Sequence, residues 1–418
     1  MVRKNRSEEY LPPTAPSTQK NKQVDFQTAD IPVEKIYSQN VTVHQSKPNQ
    51  YLENSNSLPN EYVEGTVAFA SERFTTEHVL EMHFDAGKKS AESGHFDQAI
   101  QYYEQAVALS KKLGYQKHQA HTLRLLGNIY LLQGRNAEAI EKYTLSLGIC
   151  LNTGELLDEA YVLNSLAGAH FQNAAWRKME RVCRRALAIA EDCGEDELIA
   201  CIYNNLGAMY CVRNQRDKAL INFHKCLPLF EKLGDLRGLA ETYNNMATIY
   251  RDHSSWREAT KYYAQSLHFS RLAGDEQTRA NATLNRVEMY ILRNDLDLAE
   301  RHCRDALEMF QELGNQSGKA DALKNLAAIQ TRQKRWTSAK RNFNKAIKIN
   351  KEYRNYNGLA ETFSSYAELF STQGDTEKTL KCLRKSLKYY SKLKTRNNIL
   401  AIENKIREIQ VSDETSVN

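Results

Sequence analysis

The side chains whose type and spacing suggest chemistry in this sequence are amides and ammonium groups rather than nucleophiles. Asparagines recur at a forty-residue step: Asn164, Asn204 and Asn244 form one column, and Asn205, Asn245, Asn285 and Asn325 form the column beside it. A primary amide carries both donors and an acceptor, so a ladder of them can pair with the N–H and C=O groups of an extended peptide. The same amides could instead bond between neighbouring helices and fix how those helices stack. Asn128, Arg251, Asn281 and Arg332 are further candidates for the same surface.

Catalytic chemistry has little to work with. The sequence holds no G-x-x-x-x-G-K-[ST], no G-x-S-x-G and no H-E-x-x-H, so phosphate-loop, nucleophile-elbow and zinc-protease chemistries are not expected. His118 and His121 make an H-x-x-H, but no further ligand stands at metal spacing. That pair reads as the start of a helix. The eight cysteines include no C-x-x-C, and most fall at apolar positions where a thiol behaves as a small hydrophobe. No enzyme, cofactor or metal site is expected, and the thiols are expected to be reduced, buried and intracellular.

Charge is the second kind of chemistry on offer. The whole chain carries +6, yet residues 331–410 hold 19 Lys and Arg against 7 Asp and Glu, a local +12. Lys340, Arg341, Lys345, Lys348, Lys381, Arg384, Lys385 and Lys388 are the centre of that block. It is either a solvated outer face or a docking patch for an acidic protein, a nucleic acid or a membrane surface. Few aromatic residues interleave with it, which disfavours single-strand recognition by base stacking.

The elements that must position these groups come from an internal repeat. Leu126, Leu166, Leu206, Met246, Arg286, Leu326 and Tyr366 are each forty residues apart. A small residue follows each of them except Arg286, which Val287 follows, and aromatic or apolar residues recur at Tyr143, Cys183, Phe223, Tyr263, Cys303, Phe343 and Leu383. An eighth, N-terminal unit keeps the register through Gly87, Ala99 and Tyr103. Leu123, Leu126, Gly127 and Tyr130 are spaced i, i+3, i+4, i+7, one face of a helix, and Ala139, Tyr143, Ser146 and Leu147 form a second. Gly94, Gly134, Asn214, Asn294 and Gly374 mark the turn within units, and Gly114 through Gly314 the turn between them. Trp176, Trp256 and Trp336 share one column at the start of the second helix, where packing is the expected role.

This pattern resembles the tetratricopeptide repeat, in a longer forty-residue form similar to the repeats of kinesin light chains and of the Pins/LGN scaffolds. Tyr243 to Asp252 is particularly close to the kinesin-light-chain style, although the chain has neither a heptad segment nor C-terminal Gα-binding motifs. The resemblance implies an all-α, right-handed superhelical solenoid of about eight hairpins over residues 76–396. It also implies that Asn204, Asn205, Asn244, Asn245, Asn285 and Asn325 hold ligand backbone in a concave groove. The implied function is a non-enzymatic adaptor for extended or helical peptide segments, cytoplasmic, in a cytoskeletal, motor or cilium/axoneme setting. The alternatives are a peptide-sensing regulator, or a basic surface that binds acidic proteins, tubulin or nucleic acid.

The termini read differently. Six of the seven prolines lie in the first 60 residues, and residues 1–75 are expected to be a disordered arm that could bind a partner or occupy the protein's own groove. Residues 397–410 read as a capping helix and 411–418 as a disordered tail. With no run of eighteen apolar residues, no membrane span is expected.

Overall fold

The computed structural model describes residues 67–393 and 395–417. The chain divides into two units, Met1–Lys35 and Ile36–Asn418; the first lies outside the described residues, and the fold below is that of the second. Its described residues form seventeen helices. Hairpins run α1 (Val67–Glu92) with α2 (Phe96–Leu113), α3 (Gln116–Leu132) with α4 (Asn136–Thr153), and α5 (Leu156–Gln172) with α6 (Trp176–Cys193). They continue as α7 (Asp196–Val212) with α8 (Arg216–Leu233), α9 (Leu236–Asp252) with α10 (Trp256–Leu272), and α11 (Glu276–Leu292) with α12 (Leu296–Glu312). The last are α13 (Gln316–Arg332) with α14 (Trp336–Glu352) and α15 (Tyr356–Thr372) with α16 (Thr376–Leu393), and α17 (Arg396–Val417) closes the array.

The forty-residue step is built into the backbone. Within units the chain reverses at Gly94, Gly134, Ala174, Asn214, Ser254, Asn294, Lys334 and Gly374, every one at positive φ. Glycine and asparagine tolerate that conformation; an L side chain such as Lys334 (φ 60) pays roughly 1 kcal/mol for it. The column therefore contains residues that local preference alone would not place there. Packing on both sides of the turn holds them. Between units Gly234, Gly274 and Gly314 do the same work, and Arg354 (φ 53) replaces glycine at the last junction. Several first helices are capped: the Gly318 N–H donates to Asn315 Oδ1 at 2.8 Å and the Gly358 N–H to Asn355 Oδ1 at 2.9 Å.

Small residues let the two helices of a hairpin close. A Cβ on Gly127 would lie 2.5 Å from the Tyr143 ring, and one on Gly207 would lie 2.5 Å from the Phe223 ring. Tyr143, Phe223, Tyr263 and Phe343 are fully buried in the seams so formed. Cys183, Cys226 and Cys303 fill smaller gaps there; none of the eight cysteines is in a disulfide, and only Cys193 is exposed.

From α3 onward each first helix also packs against the first helix of the next unit, whereas second helices do not pack on one another to a comparable extent. The hairpin stack therefore curves towards its first helices. Odd-numbered helices line the inner face and even-numbered ones the outer.

The array ends in a helix on each side. Helix α1 begins at Val67. The expected arm before Val67 lies outside the described residues. At the other end α17 runs past Gln410 to Val417, into the expected tail; no glycine or proline follows Gly374. No helix among the described residues is long and apolar enough to cross a membrane.

Candidate functional site

The asparagine columns sit on the inner side, where first helices of neighbouring units meet. Asn164, Asn204, Asn205, Asn244, Asn245, Asn285 and Asn325 are all buried. Asn205 Nδ2 on α7 donates to Asn164 Oδ1 on α5 at 2.9 Å, and Asn285 Nδ2 on α11 donates to Asn244 Oδ1 on α9 at 3.1 Å. The Thr242 hydroxyl donates to Asn204 Oδ1 at 3.3 Å. Each bond uses one end of an amide. The other ends of three of these amides, Asn204 Nδ2, Asn205 Oδ1 and Asn244 Nδ2, are buried with no hydrogen-bond partner among the described residues, as is Asn325 Nδ2. Leaving a buried donor or acceptor unmade costs about 1–3 kcal/mol, so the seam between these first helices carries an unrelieved polar cost.

The other predicted groove residues divide. Arg251 is buried and joins two first helices, with Nη1 2.7 Å from Glu288 Oε2 and Nε 2.9 Å from Asp252 Oδ1. Burial opposes its charge, but those carboxylates outweigh it and the guanidinium is held more firmly protonated than usual. Asn128 accepts from the Tyr143 hydroxyl at 2.7 Å, which turns it towards the hairpin seam. Asn281 accepts from Gln277 Nε2 at 3.2 Å along its own helix. Arg332 is exposed and donates to the Ile291 carbonyl at 2.7 Å, stapling the end of α13 to the end of α11.

A charged cluster that the sequence did not single out continues the inner face. Lys324 on α13, in the column of Asn164, Asn204 and Asn244, places Nζ 2.6 Å from Glu361 Oε2 on α15 and 3.5 Å from Asp321 Oδ1. Burial pushes the Asp321 carboxyl up to about 6 despite that ammonium. The position was visible as a column member, but a partner 37 residues away was not. At the opposite end of the same column Arg124 is buried, with His121 Nδ1 3.5 Å away and the Tyr161 ring 5.5 Å away. Burial and the Arg124 charge lower His121 to about 3, so it is neutral at ordinary pH. His118 instead faces Glu81, with Nε2 3.5 Å from Oε1. No group of three His, Cys, Asp or Glu among the described residues is arranged to hold a metal ion.

The predicted basic residues fall on the outer face. Arg341, Lys345 and Lys348 on α14 and Lys381, Arg384, Lys385 and Lys388 on α16 are exposed, and Lys340 is half-buried. Between these two helices, with α15 as its floor, lies a cavity of about 300 Å³. Its signal in the sequence was Tyr366, an aromatic residue in a column that otherwise reads mostly leucine.

Comparison with known proteins matches this geometry. The MalT-like TPR region family matches residues 165–410, and a tetratricopeptide repeat family matches residues 90–152. No curated protein matches the chain. Among solved structures, aspartyl phosphate phosphatase F from Bacillus subtilis superposes with a TM-score of 0.56 at 13% identity, over 68% of this chain and 73% of that one. The Rap conjugation gene regulator of the plasmid pLS20, solved in complex with the Phr* peptide, gives 0.56 at 16% identity, over 72% and 81%. The quorum sensor NprR from B. thuringiensis, in its apo form, gives 0.50 at 14% identity, over 81% and 99%. At such identities the likeness is one of fold. With more than half of its length matched by one family, the chain belongs to the MalT-like tetratricopeptide-repeat proteins.

Proposed function

We propose that this chain is a non-enzymatic peptide-binding protein that holds an extended segment against the inner face of α5, α7, α9, α11 and α13. The observation that carries this reading is the set of buried amides with an unpartnered atom at Asn204, Asn205, Asn244 and Asn325. An extended peptide presents donors and acceptors in alternation, and asparagine can meet either. Each bond gained is worth about 0.5–1.5 kcal/mol net, so several are needed for micromolar affinity. On this reading one end of each amide joins neighbouring first helices, and the other, buried in the seam between them, reaches the ligand when those helices part on binding.

The names of two neighbours, a gene regulator in complex with a peptide and a quorum sensor, favour peptide sensing over the cytoskeletal setting implied by the kinesin-light-chain likeness. Selection from a displayed peptide library on the full chain, followed by titration of the best peptide, tests the reading. A combined Asn204→Ala, Asn244→Ala and Asn245→Ala variant that keeps its helical circular dichroism is expected to bind about 10–100-fold more weakly. Equal affinity in the two proteins would sink the inner-face assignment.

A further inference from the structure

The cavity on the outer face is built unlike the rest of the array. Its floor is Phe363, Tyr366 and Phe370 on α15, and its walls carry Lys351 from α14 and Lys378, Lys381 and Lys385 from α16. No carboxylate lines it. Lys378 is paired with Asp375 at 2.5 Å, but Lys351, Lys381 and Lys385 have no ion pair among the described residues. The Lys385 ammonium stands 5.1 Å from the Phe363 ring centroid, and Lys340 and Lys378 stand 5.5 and 5.8 Å from that of Phe370. Ring faces thus hold Lys378 and Lys385 at the opening, with Lys340 beside it. Their mutual repulsion is relieved by an incoming anion.

The rings also restrict what can enter. Tyr366 is stacked on Phe343 and on Phe370, both at 4.8 Å, and Phe363 is stacked on Tyr389 at 6.0 Å as well as capped by Lys385. These faces are already engaged, so a nucleobase has little platform on which to stack. No arginine lines the cavity, although planar, bidentate phosphate recognition draws on arginine. A volume of about 300 Å³ is at the small end for ligand sites; it suits one large apolar side chain.

We propose that the cleft between α14 and α16 is a docking site for an acidic peptide segment of a partner protein, with one apolar side chain inserted above Tyr366 and flanking carboxylates on Lys351, Lys381 and Lys385. The site is on the outer face and is independent of the inner-face peptide site.

The test uses the full chain and a fluorescein-labelled peptide, Asp-Glu-Phe-Glu-Asp, read by anisotropy. Saturable binding is expected, weakening as salt rises. A peptide with serine for phenylalanine, and one with glutamine and asparagine for the acids, are each expected to bind at least tenfold more weakly. Lys381→Gln with Lys385→Gln changes only exposed side chains and is expected to weaken the parent peptide tenfold without moving the melting temperature. Tyr366→Leu serves as a second variant that alters the floor and spares the lysines. The proposal is overturned by absence of saturable binding at millimolar protein, by equal affinity for the serine peptide, by indifference to the lysine pair, or by a thymidine oligonucleotide displacing the peptide at lower concentration than the unlabelled peptide does.

Discussion

The inner face around α7 to α11 and the outer cleft between α14 and α16 are made by the same forty-residue register, yet they are chemical opposites. The inner face is lined by neutral amides that lock one helix to the next through Asn164–Asn205 and Asn244–Asn285. The outer cleft is cationic and aromatic, and three of its four lysines have no ion pair among the described residues. The difference shows where a repeat is constrained. Columns that close a hairpin, such as Gly127 against Tyr143, must keep small against large. Columns that face outward or along the inner seam are free to change, and there each unit acquires its own chemistry.

The largest expected effect comes from the charged end of the inner face. Lys324→Ala leaves the buried Glu361 carboxylate without its ammonium, and unfolding should become easier by about 3–5 kcal/mol. Replacing both members, as Lys324→Leu with Glu361→Leu, should recover most of that loss. A denaturant melt of the three proteins checks it, and equal midpoints for wild type and Lys324→Ala would show that the pair carries no stability.

Next comes Gly207→Ala, whose Cβ would sit 2.5 Å from the Phe223 ring. A cost of about 1–3 kcal/mol is expected from overpacking. Because units in a solenoid interact mainly with their neighbours, inner-face peptide binding should suffer while acidic-peptide binding at the distant cleft persists. Parallel loss of both would mean the two regions are coupled.

The smallest effect is a gain. Lys334→Gly and Arg354→Gly release positive φ angles of 60 and 53, and each should raise stability by about 0.5–1 kcal/mol in thermal melts. A loss would show that the side chain, not the turn, is what the position requires.

How far the sequence could be read follows the same division. The hairpin register was plain in the Leu126 and Tyr143 columns, because burial leaves those positions little choice. The turn glycines predicted the reversals, but Ala174, Ser254, Lys334 and Arg354 adopt the same backbone without any local sign of it. The asparagine columns were visible, whereas the bond from Asn205 back to Asn164 depends on how adjacent first helices stack. The cleft needed three helices in place before lysines on α14 and α16 could be seen to converge on rings from α15.

The most direct test of the inner-face account is a crystal structure of the full chain with a peptide taken from the displayed library. The account predicts the peptide extended along α5 to α13, with its main-chain groups within hydrogen-bond distance of Asn204 Nδ2 and Asn244 Nδ2. A peptide seated on the even-numbered helices, with those two amides untouched, would contradict it.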